Sequence, residues 1–446
     1  MRISVIGCGY LGAVHAATLA SMGHDVVGID ADAEKVGHLA RGFAPFFEPG
    51  LEELLAEGRA TGRLTFDTDM ALVADCDVHF LCVGTPQSKT SELADLTYLQ
   101  AATRSLAAHA KAGSVVVGKS TVPVGTVLRV RSWLGGTHVE LAWNPEFLRQ
   151  GTAVKDSLVP DRLVYGVDDG DAAAPSVLRA LDEVYAPLLH AGVPQIVCNF
   201  ATAELIKSAA NAYLATKLSY INAMAELCDA AGADVTQLAA AMGLDPRIGQ
   251  RYLAAGLGFG GGCLPKDIRS FRAQARELDV DSVDAWMGLV DSINVGQRSR
   301  VASIAAELCG GSVSGRRIAV LGAAFKPDTD DIRDSPALDV ALRLGEAGAH
   351  VVVTDPKAIN NAWMRYPQLQ FEASVRATCE GAELVLLLTE WAEYRKLSPD
   401  DLAHIVARPV VVDARNVLDR DEWRGAGWTV RGLGTGLQVP EAAVSR

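Results

Sequence analysis

Arg2-Ile3-Ser4-Val5-Ile6-Gly7-Cys8-Gly9-Tyr10-Leu11-Gly12 opens the chain, a short β-branched run that breaks into three glycines. The run reads as a strand, and the glycine turn leads into a helical pattern. Gly23-His24-Asp25-Val26-Val27-Gly28-Ile29-Asp30 supplies the next strand. The same order returns later as Arg317-Ile318-Ala319-Val320-Leu321-Gly322, a helical stretch, and Gly348-Ala349-His350-Val351-Val352-Val353-Thr354-Asp355. A third pairing sets Asp77-Val78-His79-Phe80-Leu81-Cys82-Val83 beside Glu383-Leu384-Val385-Leu386-Leu387-Leu388-Thr389. Apolar runs of this length alternating with helical patterns predict parallel sheets covered on both faces.

The fold class is therefore α/β, with two Rossmann-like doubly wound domains joined by a long central helix. Residues 200 to about 305 read as helical, and Phe200 to Ala231 contains neither Pro nor Gly. That stretch far exceeds the typical helix of about 11 residues. It is a candidate dimer surface or, equally, a buried linker helix. The glycine- and serine-rich stretch ending at Arg316 is the clearest linker, and the chain divides into 1–199, 200–310 and 311–446.

Composition narrows the class. Of 446 residues, 49% are hydrophobic and 21% charged, ordinary for a globular α/β protein. A net charge of −13 argues against a nucleic-acid binder, though a few local cations suffice for a small anion. No apolar run is long enough to span a bilayer, and Met1 leads straight into a strand with no secretory pattern. The eight cysteines show no CxxC spacing, which predicts reduced thiols in a cytoplasmic protein and no metal site.

Gly7, Gly9 and Gly12 fit the GxGxxG pattern between a strand and a helix. Gly7 permits the tight turn, Gly9 lets backbone approach a pyrophosphate, and Gly12 allows close helix–strand packing. The helix N-terminus offers its N–H groups to phosphate. Asp30 ends the second strand, where a carboxylate accepts from ribose hydroxyls and repels a 2′-phosphate, so NAD⁺ is favoured over NADP⁺. Lys35 either flanks the ribose or lies on an exposed helix. In the later repeat, Gly322-Ala323-Ala324-Phe325-Lys326-Pro327 lacks the second and third glycines. That domain binds something else, or nothing. Lys326 and Arg333 could hold a diphosphate there, or are solvated loop charges.

Gly258-Phe259-Gly260-Gly261-Gly262-Cys263-Leu264-Pro265-Lys266-Asp267 is the most unusual stretch. Its glycines are expected to leave backbone open to a ligand. Pro265 suits a first helical turn, which puts Cys263 at a helix N-terminus that favours thiolate. Glu204, Lys207 and Asn211 share one face of the long helix, and a lysine and an amide on an apolar face need a ligand or partner. Ser120-Thr121-Val122-Pro123 and Asn144-Pro145-Glu146-Phe147-Leu148 each follow an apolar run and belong on βα loops. Taken singly, each is also an ordinary cap or turn.

Together these motifs resemble the UDP-glucose/GDP-mannose dehydrogenase family over nearly the whole chain. The resemblance rests on GCGYLG (7–12), Asp30, CVGTP (82–86), KSTVP (119–123), NPEFL (144–148), ELIKSAAN (204–211), DPRIG (245–249), GFGGGCLPKD (258–267), KPDTDDIRDS (326–335) and DARNVLD (413–419). It implies a four-electron oxidation of a nucleotide-sugar alcohol with two NAD⁺ in succession. Cys263 would carry a thiohemiacetal and then a thioester. Lys207 and Asn211 would stabilise the oxyanion. Thr121 and Asp267 would hold a water, and Glu146 would act as general base. By the same resemblance Tyr10, Leu11, Thr85, Ser120, Thr121, Gln150 and Arg333 contact NAD⁺. Glu146, Phe147, Leu148, Lys207, Asn211, Tyr252, Gly256, Phe259, Gly260, Lys326 and Arg415 would hold the nucleotide sugar, with Arg247 reaching it across a homodimer interface. UDP-glucose is the implied substrate; GDP-mannose, a thymidine diphosphate sugar, or a non-catalytic sensor role are the alternatives. Gln150, Gly262 and Leu264 depart from the family's common Glu, Ser and Phe.

Overall fold

In the computed structural model, residues 1–436 are described apart from 89–90, 169 and 171. The chain packs as two compact units: Met1–Ala210 with Arg269–Asp279, and Asn211–Ile268 with Val280 onward. Two helices run through this division, Phe200–Ala231 and Leu264–Glu277.

The first unit is built on β1 (Arg2–Ile6), β2 (Asp25–Ile29), β3 (Leu64–Asp67), β4 (Val78–Leu81), β5 (Val115–Gly118), β6 (Glu140–Trp143), β7 (Leu163–Val167) and β8 (Gln195–Asn199). They lie in the order β3-β2-β1-β4-β5-β6-β7-β8. Ile3 pairs with Val26 on one side and Val78 on the other, so the chain's opening strand is central. Both residue parities are buried: Val78 and Phe80 face one core, Leu81 the opposite one. Burial on both faces is why these strands read as continuous apolar runs.

One junction departs from the expected all-parallel pattern. β7 meets β6 antiparallel through Trp143 and Gly166, and β8 then runs parallel to β7. Hydropathy reports burial and not strand direction, so the sequence does not show this. The crossing calls for a glycine at 166, because a Cβ there would lie 2.5 Å from that of Ala203.

The second unit repeats the plan with β9 (Arg317–Leu321), β10 (His350–Thr354), β11 (Gln370–Phe371), β12 (Leu384–Leu387), β13 (Val410–Asp413) and β14 (Thr429–Gly432). Their order, β11-β10-β9-β12-β13-β14, matches the first six strands of the other sheet. Every pairing in it is parallel.

Candidate active site

The three glycines of the opening turn separate into two kinds. A Cβ on Gly7, at φ +89°, would sit 2.9 Å from Val83 backbone, and one on Gly12 would run into the Gly7 carbonyl oxygen. The fold itself forbids side chains at both positions. Gly9 has an ordinary φ of −69°, and a Cβ there would meet no chain atom within 4 Å. The chain does not require a glycine at 9, so the open space at the helix N-terminus fits an approaching pyrophosphate.

The second unit keeps only the counterpart of Gly7. Gly322, at φ +118°, is crowded by the Thr389 side chain, while Ala324 stands at the position equivalent to Gly9. The two acidic strand ends diverge likewise. Asp30 accepts from the Cys8 amide at 2.8 Å and pairs with Lys35 Nζ at 3.0 Å. Lys35 thus sits beside the carboxylate at the end of β2, in an ion pair with it. Its counterpart Asp355 is buried and turned inward, taking N–H groups from Ala323, Ala324, Lys357, Ala358 and Trp391. A carboxylate so occupied is structural and cannot read a ribose.

The loops after β4, β5 and β6 are laced together. Thr85 Oγ1 donates to the Thr121 carbonyl at 2.7 Å, and Ser120 Oγ to that of Val83 at 2.6 Å. Glu146 follows β6 and forms a 3.0 Å ion pair with Lys207, both side chains largely buried. Phe147 lies against that ammonium, 5.6 Å from ring centre to Nζ, and against Arg162. The Leu148 amide donates to Glu146. Buried Glu204, three residues before Lys207, accepts from the Gly125 and Val127 amides and so caps the helix Thr126–Leu134. Leu11 and Gln150 are half-buried. Tyr10 packs against Phe46 with the rings tilted by 40° and bonds to Glu48, which also accepts from Gly151 and Ala153 at 2.7 Å. Sequence reasoning misses Glu48, because nothing near it along the chain marks it as the acid that anchors the segment after NPEFL.

In the second unit, Cys263 immediately precedes the helix Leu264–Glu277, and its carbonyl accepts the Asp267 amide at 2.8 Å. Of the eight cysteines it is the exposed one; Cys198 is half-buried and the other six are buried. Burial pushes the Cys76 thiol up to about 11 and those of Cys82 and Cys379 up to about 12. Asn211 donates to Asp267 at 2.7 Å, and Lys266 pairs with the other Asp267 oxygen at 2.9 Å.

In the glycine-rich loop the chain's own atoms fill the Cβ directions, so the fold itself requires these glycines. A Cβ on Gly258 would meet Asn294 Oδ1 at 2.5 Å, and one on Gly261 the Phe325 ring at 2.8 Å. On Gly260 it would strike the Asp334 carbonyl oxygen, and on Gly262 the Arg333 guanidinium. Asn294, fully buried, both accepts from and donates to the Phe259 backbone. Arg333 is held bidentately by Asp331. Arg415 is a brace, donating to the Leu388, Gly258 and Phe325 carbonyls. Gly256 lies against it, with the Arg415 Cδ 3.5 Å from its Cβ position. Lys326 lies over the Phe325 ring, and Tyr252 takes a left-handed φ of 63°. Arg247 is exposed and folded onto Asp245. Among the described residues no group of three or more metal-ligating side chains is assembled, and no helix is long and apolar enough to cross a membrane.

An open turn at a helix N-terminus with an acid at the next strand end is the arrangement of a dinucleotide-binding domain, and the chain is an NAD-dependent oxidoreductase. The chain belongs to the UDP-glucose/GDP-mannose dehydrogenase family: residues 1–189 match its NAD binding domain, 201–295 its central domain and 319–420 its UDP binding domain. It is 41% identical to a UDP-glucose 6-dehydrogenase of Rhizobium meliloti, over 97% of this chain and 99% of that one. It is 39% identical to UDP-glucose 6-dehydrogenase TuaD of Bacillus subtilis, over 97% and 93%. Among solved structures, a UDP-glucose dehydrogenase from Pyrobaculum islandicum is 37% identical with a TM-score of 0.87, covering 97% of each chain.

Proposed function

We propose that this protein is a UDP-glucose 6-dehydrogenase of the cytoplasm, converting UDP-glucose, two NAD⁺ and water to UDP-glucuronate and two NADH. The observation that carries the reading is Cys263, an exposed thiol at a helix N-terminus, in a chain whose other cysteines are half-buried or buried. Bound NAD⁺ supplies a two-electron acceptor for each oxidation. Cys263 Sγ attacks the C6 aldehyde carbon, and the C=O pair moves onto oxygen to give a thiohemiacetal. Loss of the C6 hydride leaves a thioester, and water expels the thiol and releases the acid. Lys207 and Asn211, one turn apart on the same helix, stabilise the oxyanion. Thr121 and Asp267 hold the water, and Glu146, salt-bridged to Lys207, takes its proton. The cysteine serves both stages, since it retains the aldehyde and forms a readily hydrolysed ester.

The division of labour is NAD⁺ on 1–199, dimerisation on 200–310 and UDP-sugar on 311–446. Support for a homodimer comes from Tyr213, Tyr220 and Leu227, each about half exposed and spaced by seven along the long helix. The alternative substrates differ at the base or sugar, where no motif discriminates. Steady-state NADH formation across UDP-glucose, GDP-mannose and thymidine diphosphate glucose tests the reading. UDP-glucose should have the highest kcat/KM and yield two NADH per sugar; one NADH with released aldehyde overturns the thioester route.

A further inference from the structure

Lys119 is buried just past the C-terminal end of β5, and among the described residues no carboxylate is bonded to it. Its ammonium donates to Asn144 Oδ1 at 2.9 Å and to the Tyr185 hydroxyl at 3.3 Å. Tyr185 donates its own proton to the same Asn144 oxygen at 2.6 Å, and Asn144 Nδ2 donates to the Val164 carbonyl at 2.9 Å. The ammonium also lies 5.8 Å from the Phe80 and Tyr185 ring centres. A charge so buried destabilises the fold unless its bonds compensate for lost water. Lys119 immediately precedes Ser120-Thr121, and Asn144 precedes Pro145-Glu146.

We propose that Lys119 is a positioning residue whose charged bond to Asn144 clamps the Thr121 loop to the Glu146 loop, so that oxidation and hydrolysis depend on Lys119 being protonated. The proposal rests on the proton-handling roles given above to Thr121 and Glu146. The neighbouring Thr85–Thr121 and Ser120–Val83 bonds use neutral groups, so of these three links this is the one that titrates. Burial brings Lys119 down to about 8, with Glu146 pulling the other way. The other titratable groups facing it are inert there. His15, on the helix Tyr10–Ser21, stays neutral because burial lowers it well below 6.5, and burial raises Cys82 to about 12 and Tyr185 well above 10. Above pH about 8 the clamp therefore weakens from a charge-assisted bond to a neutral one.

Stability runs the opposite way. The unfolded chain keeps Lys119 protonated to above about 10, so between the two values it binds more protons than the native state and stability rises with pH. Loss of activity without loss of stability is the signature of the clamp.

The test is kcat for UDP-glucose oxidation from about pH 6.5 to about pH 10, alongside melting temperature and the lysine Cε and backbone amide resonances. Wild type should lose kcat around pH 8 without a matching fall in melting temperature, and the Thr121 and Glu146 amides should shift with the Lys119 midpoint. Lys119→Met should lower kcat about ten- to a hundredfold, leave the KM for NAD⁺ little changed, and abolish the alkaline limb. Should that variant fail to fold, Tyr185→Phe keeps the ring and removes one acceptor from the ammonium, so the limb should move to lower pH. A Lys119→Met enzyme with wild-type kcat or an unaltered limb overturns the proposal, as does a Tyr185→Phe limb that stays in place. If no nucleotide sugar is oxidised, the proposed function fails, while the shared or separate midpoints of Lys119, Thr121 and Glu146 still decide the clamp.

Discussion

At Gly9 the chain leaves open space that its own packing does not need, whereas at Gly12 the fold fills the space itself. Gly9→Ala should fold with a near-wild-type melting temperature and lose NAD⁺ affinity about tenfold or more, read by cofactor titration. Gly12→Ala should instead cost about 1–3 kcal/mol in denaturant unfolding, because backbone cannot yield as a side chain does. Cys263→Ser should lose NADH production at saturating UDP-glucose but keep nucleotide-sugar binding by calorimetry; wild-type turnover in it would remove the thiol from the mechanism. Gly9 and Cys263 are readily found in the sequence, since each is a residue type set in a local pattern. What fills the Cβ directions of the four glycines from 258 to 262 lies at Asn294, Phe325, Arg333 and Asp334, far along the chain and beyond any local pattern.

Among the elements, the helices are legible in the sequence and their anchors are not. The long helix runs from Phe200 to Ala231, as the absence of Pro and Gly predicts. Lys207 and Asn211 are buried on it as expected, but their bonds to Glu146 and Asp267 come from other elements. Asn294→Ala should free the Phe259 backbone on both sides, lower kcat and cost about 1–3 kcal/mol by unfolding, the penalty for buried groups left unpaired. Asp234 caps the helix Val235–Gly243 through the Thr236 and Gln237 amides. Burial raises its pKa, but bonds from Thr236 and Arg420 prevail and hold it at about 2. A depressed carboxylate stabilises the fold above its unfolded value of about 4 and loses that contribution as pH falls through the folded one. Asp234→Ala should cost about 1 kcal/mol at neutral pH, and the difference from wild type should shrink in melts at lower pH.

For the whole molecule, the repeated unit is visible in the sequence, and its divergence of purpose is half visible. The lost glycines announce that the second sheet does not bind a dinucleotide as the first does. That Asp355 is turned inward to hold N–H groups appears only when Trp391 and the two turns meet it. Assembly is open to a direct test: Tyr213→Lys with Tyr220→Lys should convert a dimer to monomer in light scattering while leaving the melt of each protomer cooperative. A wild-type monomer would remove Arg247 from any role across an interface. Near neighbours along the chain suffice to specify the strands, the long helix, the cradle glycines, Asp30 and the place of Cys263 at a helix start, because propensity and turn chemistry act locally. Long-range packing sets the antiparallel meeting of β6 and β7, the self-filled glycine loop, the inward Asp355 and the Lys119–Asn144 bond. Each of those depends on which distant atoms arrive at a given place, and no local pattern of residue types carries that information.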